Sequence, residues 1–327
     1  MKRREFIGLV GSAAAAWPAV GRAQQSGKTR RIGVLFALGE SDPTAQSRLA
    51  MFRGTLQKLG WTDVTLDARY VASNDVEIHR RYAKELIALQ PDLLFAQNVE
   101  ATKALSQHTQ TIPIIFALVS DPIGNGFVAS FPRPGRNVTG FIIGEPTMGG
   151  KWLELLKEVA PNVTRVLAPY NSLTTTPEYY LSSLRATAAQ FGVEASAVLF
   201  RNMSELEQAV GAHARAPHGG LVMVPEAYMT AHSREVLSLA ARYRLPAVYA
   251  LRLFVEGGGL VSYGGLLLDN FRRAAIYADR ILKGEKVSEL PVQAPEKFEL
   301  VINLKTAKEF DLTVPPALLA RADDVIE

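Results

Sequence analysis

The chain contains no cysteine. That absence excludes disulfides, thiolate metal ligands and a cysteine nucleophile together. Histidine is scarce as well, with five in 327 residues. His213 and His218 stand five apart across Pro217, the wrong spacing for one helical face, and no His-Glu-x-x-His occurs, so no metal site is expected. No apolar run approaches the roughly 20 residues of a membrane-spanning helix. No Gly-x-Ser-x-Gly elbow offers a hydrolase nucleophile, and Gly257-Gly258-Gly259 is followed by no P-loop lysine. A loose dinucleotide pattern, Gly124-x-Gly126-x-x-Ala129 with Glu145 beyond it, falls after the fourth expected strand instead of the first. It reads as a glycine-shaped loop, and no cofactor is expected.

What is present begins with a segment that has the form of an export signal. Lys2-Arg3-Arg4 precedes a short apolar stretch through Ala16, and Gly21-Arg22-Ala23 supplies small residues for cleavage near Ala23. The paired Arg3-Arg4 before Glu5-Phe6-Ile7 resembles a twin-arginine signal. Residues 1–23 are therefore expected to be removed on export to the periplasm. Lys2, Arg3, Arg4 and Arg22 against Glu5 supply +3 of the formal +4, leaving +1 for the remainder. No basic tract survives, so nucleic acid is not an expected partner.

From residue 31 strands and helices alternate. The apolar run 31–37 reads as a parallel strand buried on both faces. Leu49, Phe52, Leu56 and Leu59 give the next helix its period, and Gly60 ends it. Strands at about 64–71, 92–96 and 112–119 follow, with helices between them. After a strand at 138–143 the rhythm restarts near Gly144, with strands at about 164–168, 193–200, 220–224 and 247–251. The expected fold class is α/β, with two doubly wound parallel-sheet lobes joined by a multi-strand hinge. Length agrees, since one domain holds about 100–200 residues. The first lobe is assigned 30–143 plus about 252–284, and the second 144–251 plus about 285–327.

In doubly wound sheets, ligands bind beyond the carboxyl ends of the strands, where neighbouring loops diverge and expose backbone amides. That selects loops 38–43, 97–100 and 120–126 in the first lobe, and 169–176, 225–229 and 251–256 in the second. In or beside them stand Phe36, Ser41, Asn98, Asp121, Tyr170, Asn171, Glu226, Tyr228 and Tyr249. Ser41-Asp42-Pro43 and Thr175-Thr176-Pro177 also have the form of helix caps with proline at the first helical position.

Several segments resemble one family. They are Ile112-Pro113-Ile114-Ile115-Phe116, Ser120-Asp121-Pro122-Ile123-Gly124 and Arg133-Pro134-Gly135-Arg136-Asn137-Val138-Thr139-Gly140. Ala240-Ala241-Arg242-Tyr243-Arg244-Leu245-Pro246, Phe254-Val255-Glu256-Gly257-Gly258-Gly259 and Lys297-Phe298-Glu299-Leu300-Val301-Ile302-Asn303 belong with them. Together they are similar to substrate-binding proteins of ABC transporters, the tryptophan/tyrosine-type group, over residues 30–327. The resemblance implies a type I periplasmic-binding-protein fold, no catalytic residues, and an inner-membrane ABC permease with its ATPase as partners. Two stretches depart from the family pattern. Asn98-Val99-Glu100-Ala101-Thr102 replaces small residues with Thr-Pro, and Gly265-Leu266-Leu267 replaces a proline and a polar residue.

Residues and resemblance together predict a monomer that captures a small solute, amino-acid-like or aromatic, between its lobes by hinge closure. Phe36, Tyr249 and Tyr263 are the stacking candidates. Asn98, Ser120 and Asn171 are candidates for hydrogen bonds, Asp121 and Glu226 for a cationic group, and Ser41 and Tyr170 for the remaining contacts. The alternative is an exported enzyme on the same fold, with Asp121 and Glu226 as acid and base.

Overall fold

The computed structural model describes residues 29–72, 75–171 and 178–327. The expected export signal and the Thr175-Thr176-Pro177 cluster lie outside them.

The first lobe is built from β1 (Arg30–Phe36), α1 (Pro43–Lys58), β2 (Val64–Tyr70), α2 (Val76–Ala88), β3 (Leu93–Gln97), α3 (Val99–Ser106), β4 (Ile114–Val119) and β5 (Val138–Ile142). Its five strands form one parallel sheet in the order β2-β1-β3-β4-β5. Helices cover both faces, which is why the central strands are apolar without alternation; every residue of β3, Leu-Leu-Phe-Ala-Gln, is buried. The start of α1 is set by Asp42, whose carboxylate accepts from the Thr44 and Ala45 amides at 2.7 and 3.4 Å, with Pro43 following as the first helical residue.

The second lobe repeats the plan with α4 (Met148–Val159), β6 (Arg165–Tyr170), α5 (Glu178–Phe191), β7 (Glu194–Leu199), α6 (Met203–Ala214), β8 (Gly219–Met223), α7 (Ala227–Ala231), α8 (Ser233–Arg242), β9 (Ala247–Tyr249), α9 (Arg252–Glu256) and β10 (Val261–Gly265). The pattern of the sequence suggests a single helix at about 230–243. Two are found, because His232 leaves helical geometry (φ −110°, ψ 34°) and closes α7 with its own amide on the Tyr228 carbonyl.

The chain then returns to the first lobe. In α10 (Leu267–Leu282), Phe271, Ala274 and Tyr277 share a core with Phe52, Phe95 and Phe141. A short 3-10 turn at Val287–Glu289 and the segment after it stay there. Thr139 Oγ1 donates to the Leu290 carbonyl at 2.6 Å, and the Ile142 amide to that of Gln293 at 3.0 Å. The last elements, β11 (Phe298–Asn303), α11 (Leu304–Glu309), α12 (Pro316–Leu319) and β12 (Asp324–Ile326), complete the second lobe. Its seven-stranded sheet has the order β12-β11-β10-β9-β8-β6-β7, with β11 antiparallel to β10.

Strand pairing moves both boundaries expected for the tail. Residues near 252–265 belong to the second lobe, because β10 pairs with β9 and β11. Residues after 284 remain in the first lobe as far as Gln293, which bridges Phe141 of β5. The last described element is a strand, β12.

Three segments therefore cross between the lobes, at Ile143-Gly144, Gly265-Leu266 and Pro295-Glu296-Lys297. The Leu266 amide donates to the Lys297 carbonyl at 3.0 Å. A Cβ on Gly265 would lie 2.7 Å from Cβ of Pro295 and 3.7 Å from the Ile143 carbonyl oxygen, so all three meet where only hydrogen fits. Such a bundle lets the lobes rotate about a fixed line without parting.

Candidate functional site: the cleft between the lobes

The carboxyl ends of the two sheets face each other across a cavity of about 360 Å³, inside the range of roughly 300–1,000 Å³ usual for small-molecule sites. Its apolar wall comes from Leu38 and Leu118 in the first lobe, Leu251 in the second, and Ile143 and Leu267 where the chain crosses.

The backbone bends sharply as it turns into this cleft. Asn98, Leu118 and Asp121 hold φ angles of 86°, 60° and 46°, in the left-handed region. Asn98 and Asp121 tolerate this through local bonds: Asn98 Oδ1 accepts from the Ala101 amide at 3.0 Å, and Asp121 Oδ1 from the Gly124 amide at 2.8 Å. Leu118 has no such help. The register of β4 against β5 slips between Ala117 and Val119, and Leu118, the bulged residue, lines the cavity. Conformations of this kind cost on the order of 1–3 kcal/mol each and concentrate at ligand sites.

Three charged side chains give the cavity its chemistry. Arg48 lies on the apolar face of α1, only 6% exposed, with its guanidinium 5.5 Å from the centre of the Phe271 ring. Among the described residues it has no hydrogen bond or ion pair. Burial lowers its pKa to about 10, with Asp42 opposing part of the effect, so it remains a cation at neutral pH. A buried cation without a fixed anion is costly, and it faces a cavity.

Glu100 is the second residue of α3. Both its carboxylate oxygens are sealed from solvent and, among the described residues, lack hydrogen-bond partners of normal geometry. Burial pushes its pKa up to about 7 and the charge of Glu226 adds to this, while its own amide, Lys103 and Asn98 pull the other way. Glu226, across the cleft and 4% exposed, has a structural task. As the cap of α7 it accepts from the Tyr228 amide at 2.9 Å through Oε1 and from the Met229 amide at 2.7 Å through Oε2.

Of the candidates named from sequence, Asn98, Ser120 and Glu226 are brought together in the cavity wall. Ser120 Oγ also lies 3.2 Å from the Tyr180 hydroxyl of α5, a hydrogen bond between the lobes. The three stacking candidates do not line the cavity. Phe36 is fully buried between Tyr70 and Phe271, with ring centroids 5.5 and 6.3 Å away. Tyr249 stacks on Phe254 at 4.9 Å, and Tyr263 on Phe298 at 5.7 Å. Phe36 and Tyr249 end strands covered on both faces, so their rings point into core. Ser41 is exposed beyond β1, Tyr170 packs against the core of the second lobe, and Asn171 is buried and not among the residues lining the cavity. Asp121 caps its own turn and is not among the residues that line the cavity with Glu226.

The aromatic groups that do line the cavity are Tyr228 and His232, stacked with centroids 4.1 Å apart. Arg48 and His232 lie outside the loops selected from sequence. Arg48 nevertheless left a signal: it interrupts the stripe Ala45, Leu49, Phe52, Leu56 at helical spacing. Among the described residues no cluster of histidine, aspartate and glutamate could hold a metal ion, and no helix is long and apolar enough to cross a membrane.

Comparison with known proteins agrees with this architecture. A family model described as ABC transporter substrate binding protein matches residues 38–326. A tyrosine-binding protein of Clostridioides difficile (strain R20291) is 26% identical over 242 residues, 74% of this chain and 69% of that protein. A solved structure of a conserved domain protein from Vibrio cholerae O1 biovar El Tor matches with a TM-score of 0.81 and 26% identity, covering 91% of this chain and 100% of that one. The structure of an ABC domain from Streptococcus pneumoniae in complex with L-Trp matches with a TM-score of 0.82 and 25% identity, again over 91% and 100%. With its two-lobed fold, its central cleft and a family match running over nearly the whole described chain, this protein belongs to the substrate-binding proteins of ABC transporters.

Proposed function

We propose that this chain is the periplasmic solute-binding component of an ABC uptake transporter, and that its cleft captures an amino-acid-type solute for an inner-membrane permease and its ATPase. The observation that carries the solute class is Arg48, a buried cation with no ion pair among the described residues, which lines the same largely apolar cavity as Glu100 and Glu226. A solute carboxylate would pair with its planar guanidinium through two parallel hydrogen bonds. The solute ammonium would meet the Glu226 carboxylate, which lines the same cavity and also caps α7. The tyrosine-binding relative and the L-Trp complex support an amino acid. Contacts to both lobes favour the closed form by the difference in affinity between open and closed states, and that form is what a permease would read.

Thermal unfolding of the mature chain against a library of L-amino acids, aromatic acids, nucleosides and sugars tests this. A ligand at about 100 times its Kd adds roughly 2.7 kcal/mol and raises the melting temperature clearly. The reading expects an L-amino acid among the hits, recovered unchanged by mass spectrometry. Hits confined to other classes, or chemical conversion of the bound compound, would contradict it.

A further inference from the structure

Glu100 is not the cap of its helix. The N-terminus of α3 is already capped by Asn98, whose Oδ1 holds the Ala101 amide at 3.0 Å. Glu226 is held by two backbone amides, whereas among the described residues both oxygens of Glu100, buried in the wall of the cavity, lack a hydrogen-bond partner of normal geometry. Burying a carboxyl in this way lowers stability unless a partner arrives. Lys103, one turn further along α3, is exposed at the surface, and His232 is engaged through Nδ1 with the Tyr228 carbonyl at 2.9 Å. No cation of the chain pairs with Glu100 among the described residues.

Charge balance says what the partner is. With Arg48, Glu226 and Glu100 all ionised, the cavity carries one net negative charge. A neutral zwitterion would satisfy Arg48 and Glu226 and leave Glu100 alone. We propose that Glu100 receives a second cationic nitrogen of the solute, so that the solute is a basic amino acid with an aliphatic side chain ending in a protonated amine. Leu38, Leu118, Leu251 and Leu267 give the cavity an aliphatic wall for such a chain, beside the stacked pair Tyr228 and His232. This inference rests on the reading of the cleft as an amino-acid site. It adds the charge of the side chain, and it assigns Glu100 as the residue that selects it.

Calorimetric titration of the mature protein with L-lysine and L-norleucine tests it, since norleucine is the same carbon chain without the terminal amine. Lysine is expected to bind at least about thirtyfold more tightly, the effect of one buried charge-assisted hydrogen bond. In Glu100→Gln, verified as folded by its melting curve, the two Kd values should come within about threefold of each other. Equal binding of lysine and norleucine by the wild type, or a preference undiminished in Glu100→Gln, would overturn the assignment. Binding of L-Trp or L-Tyr but not lysine would also overturn it, while leaving the amino-acid reading intact. Failure of every amino acid would remove both.

Discussion

Glu100→Gln nearly preserves the size of the side chain and removes its titration, so it isolates what the buried carboxyl does to the solute-free fold. Burial raises that carboxyl from 4.5 to about 7. A raised acid makes the folded state prefer the proton. The native state therefore carries no penalty below about pH 4.5, loses stability as pH rises from there through 7, and levels off about one pH unit above that. The displacement corresponds to about 3 kcal/mol over the whole range, and to roughly 2.5 kcal/mol between pH 5 and pH 8. With an unfolding entropy near 2.1 cal/mol/K per residue over roughly 300 folded residues, that is about 4 °C of melting temperature. Melting curves of wild type and variant at about pH 5 and about pH 8 give the double difference directly. The wild type should lose about 4 °C more than Glu100→Gln on going to the higher pH. Parallel profiles would refute the reasoning, because they would mean that the carboxyl is solvated or partnered in the folded chain.

Other substitutions test the geometry of the cleft and hinge. Tyr249→Phe should leave the Kd of whichever amino acid binds within about twofold, because the ring lies in core and not in the cavity wall; a tenfold loss by calorimetry would place it in the site after all. Gly265→Ala drives a methyl group into Pro295 at the meeting of the three crossings. It should cost about 1–3 kcal/mol and lower the melting temperature by a few degrees; an unchanged melting curve would show that the crossing strands are looser than their contacts imply. Ser120→Ala leaves the Tyr180 hydroxyl buried without its partner across the lobes. A loss of about 1–3 kcal/mol in denaturant unfolding is expected, and no loss would mean that the hydrogen bond contributes nothing.

Much of the fold was legible because parallel strands covered on both faces leave uninterrupted apolar runs, as in β3 and β4. Asp42-Pro43 marked the start of α1, and the restart after Gly144 marked the second lobe. The later crossings were misplaced because the allegiance of β10 depends on pairing. Nothing within Val261–Gly265 reveals that it joins β9 and an antiparallel strand beginning at Phe298. At the candidate site, loop position selected Asn98, Ser120 and Glu226, which line the cavity, since strand order alone decides which loops reach the cleft. It could not orient Phe36 or Tyr249, for at the end of a doubly covered strand either direction can lead to core. Arg48 was missed because it stands on a helix and not in a loop, although a charge within an apolar stripe of that helix is a readable anomaly.

Equilibrium dialysis of the mature chain and of Arg48→Gln against a mixture of the common L-amino acids, read by mass spectrometry, tests the central claim most directly. The account predicts that the wild type retains one or a few amino acids, unchanged in mass. Arg48→Gln should lose that retention by about a hundredfold in affinity, as the solute carboxylate is left with no cation. Retention of nothing, retention that survives in Arg48→Gln, or conversion of the retained compound would contradict it.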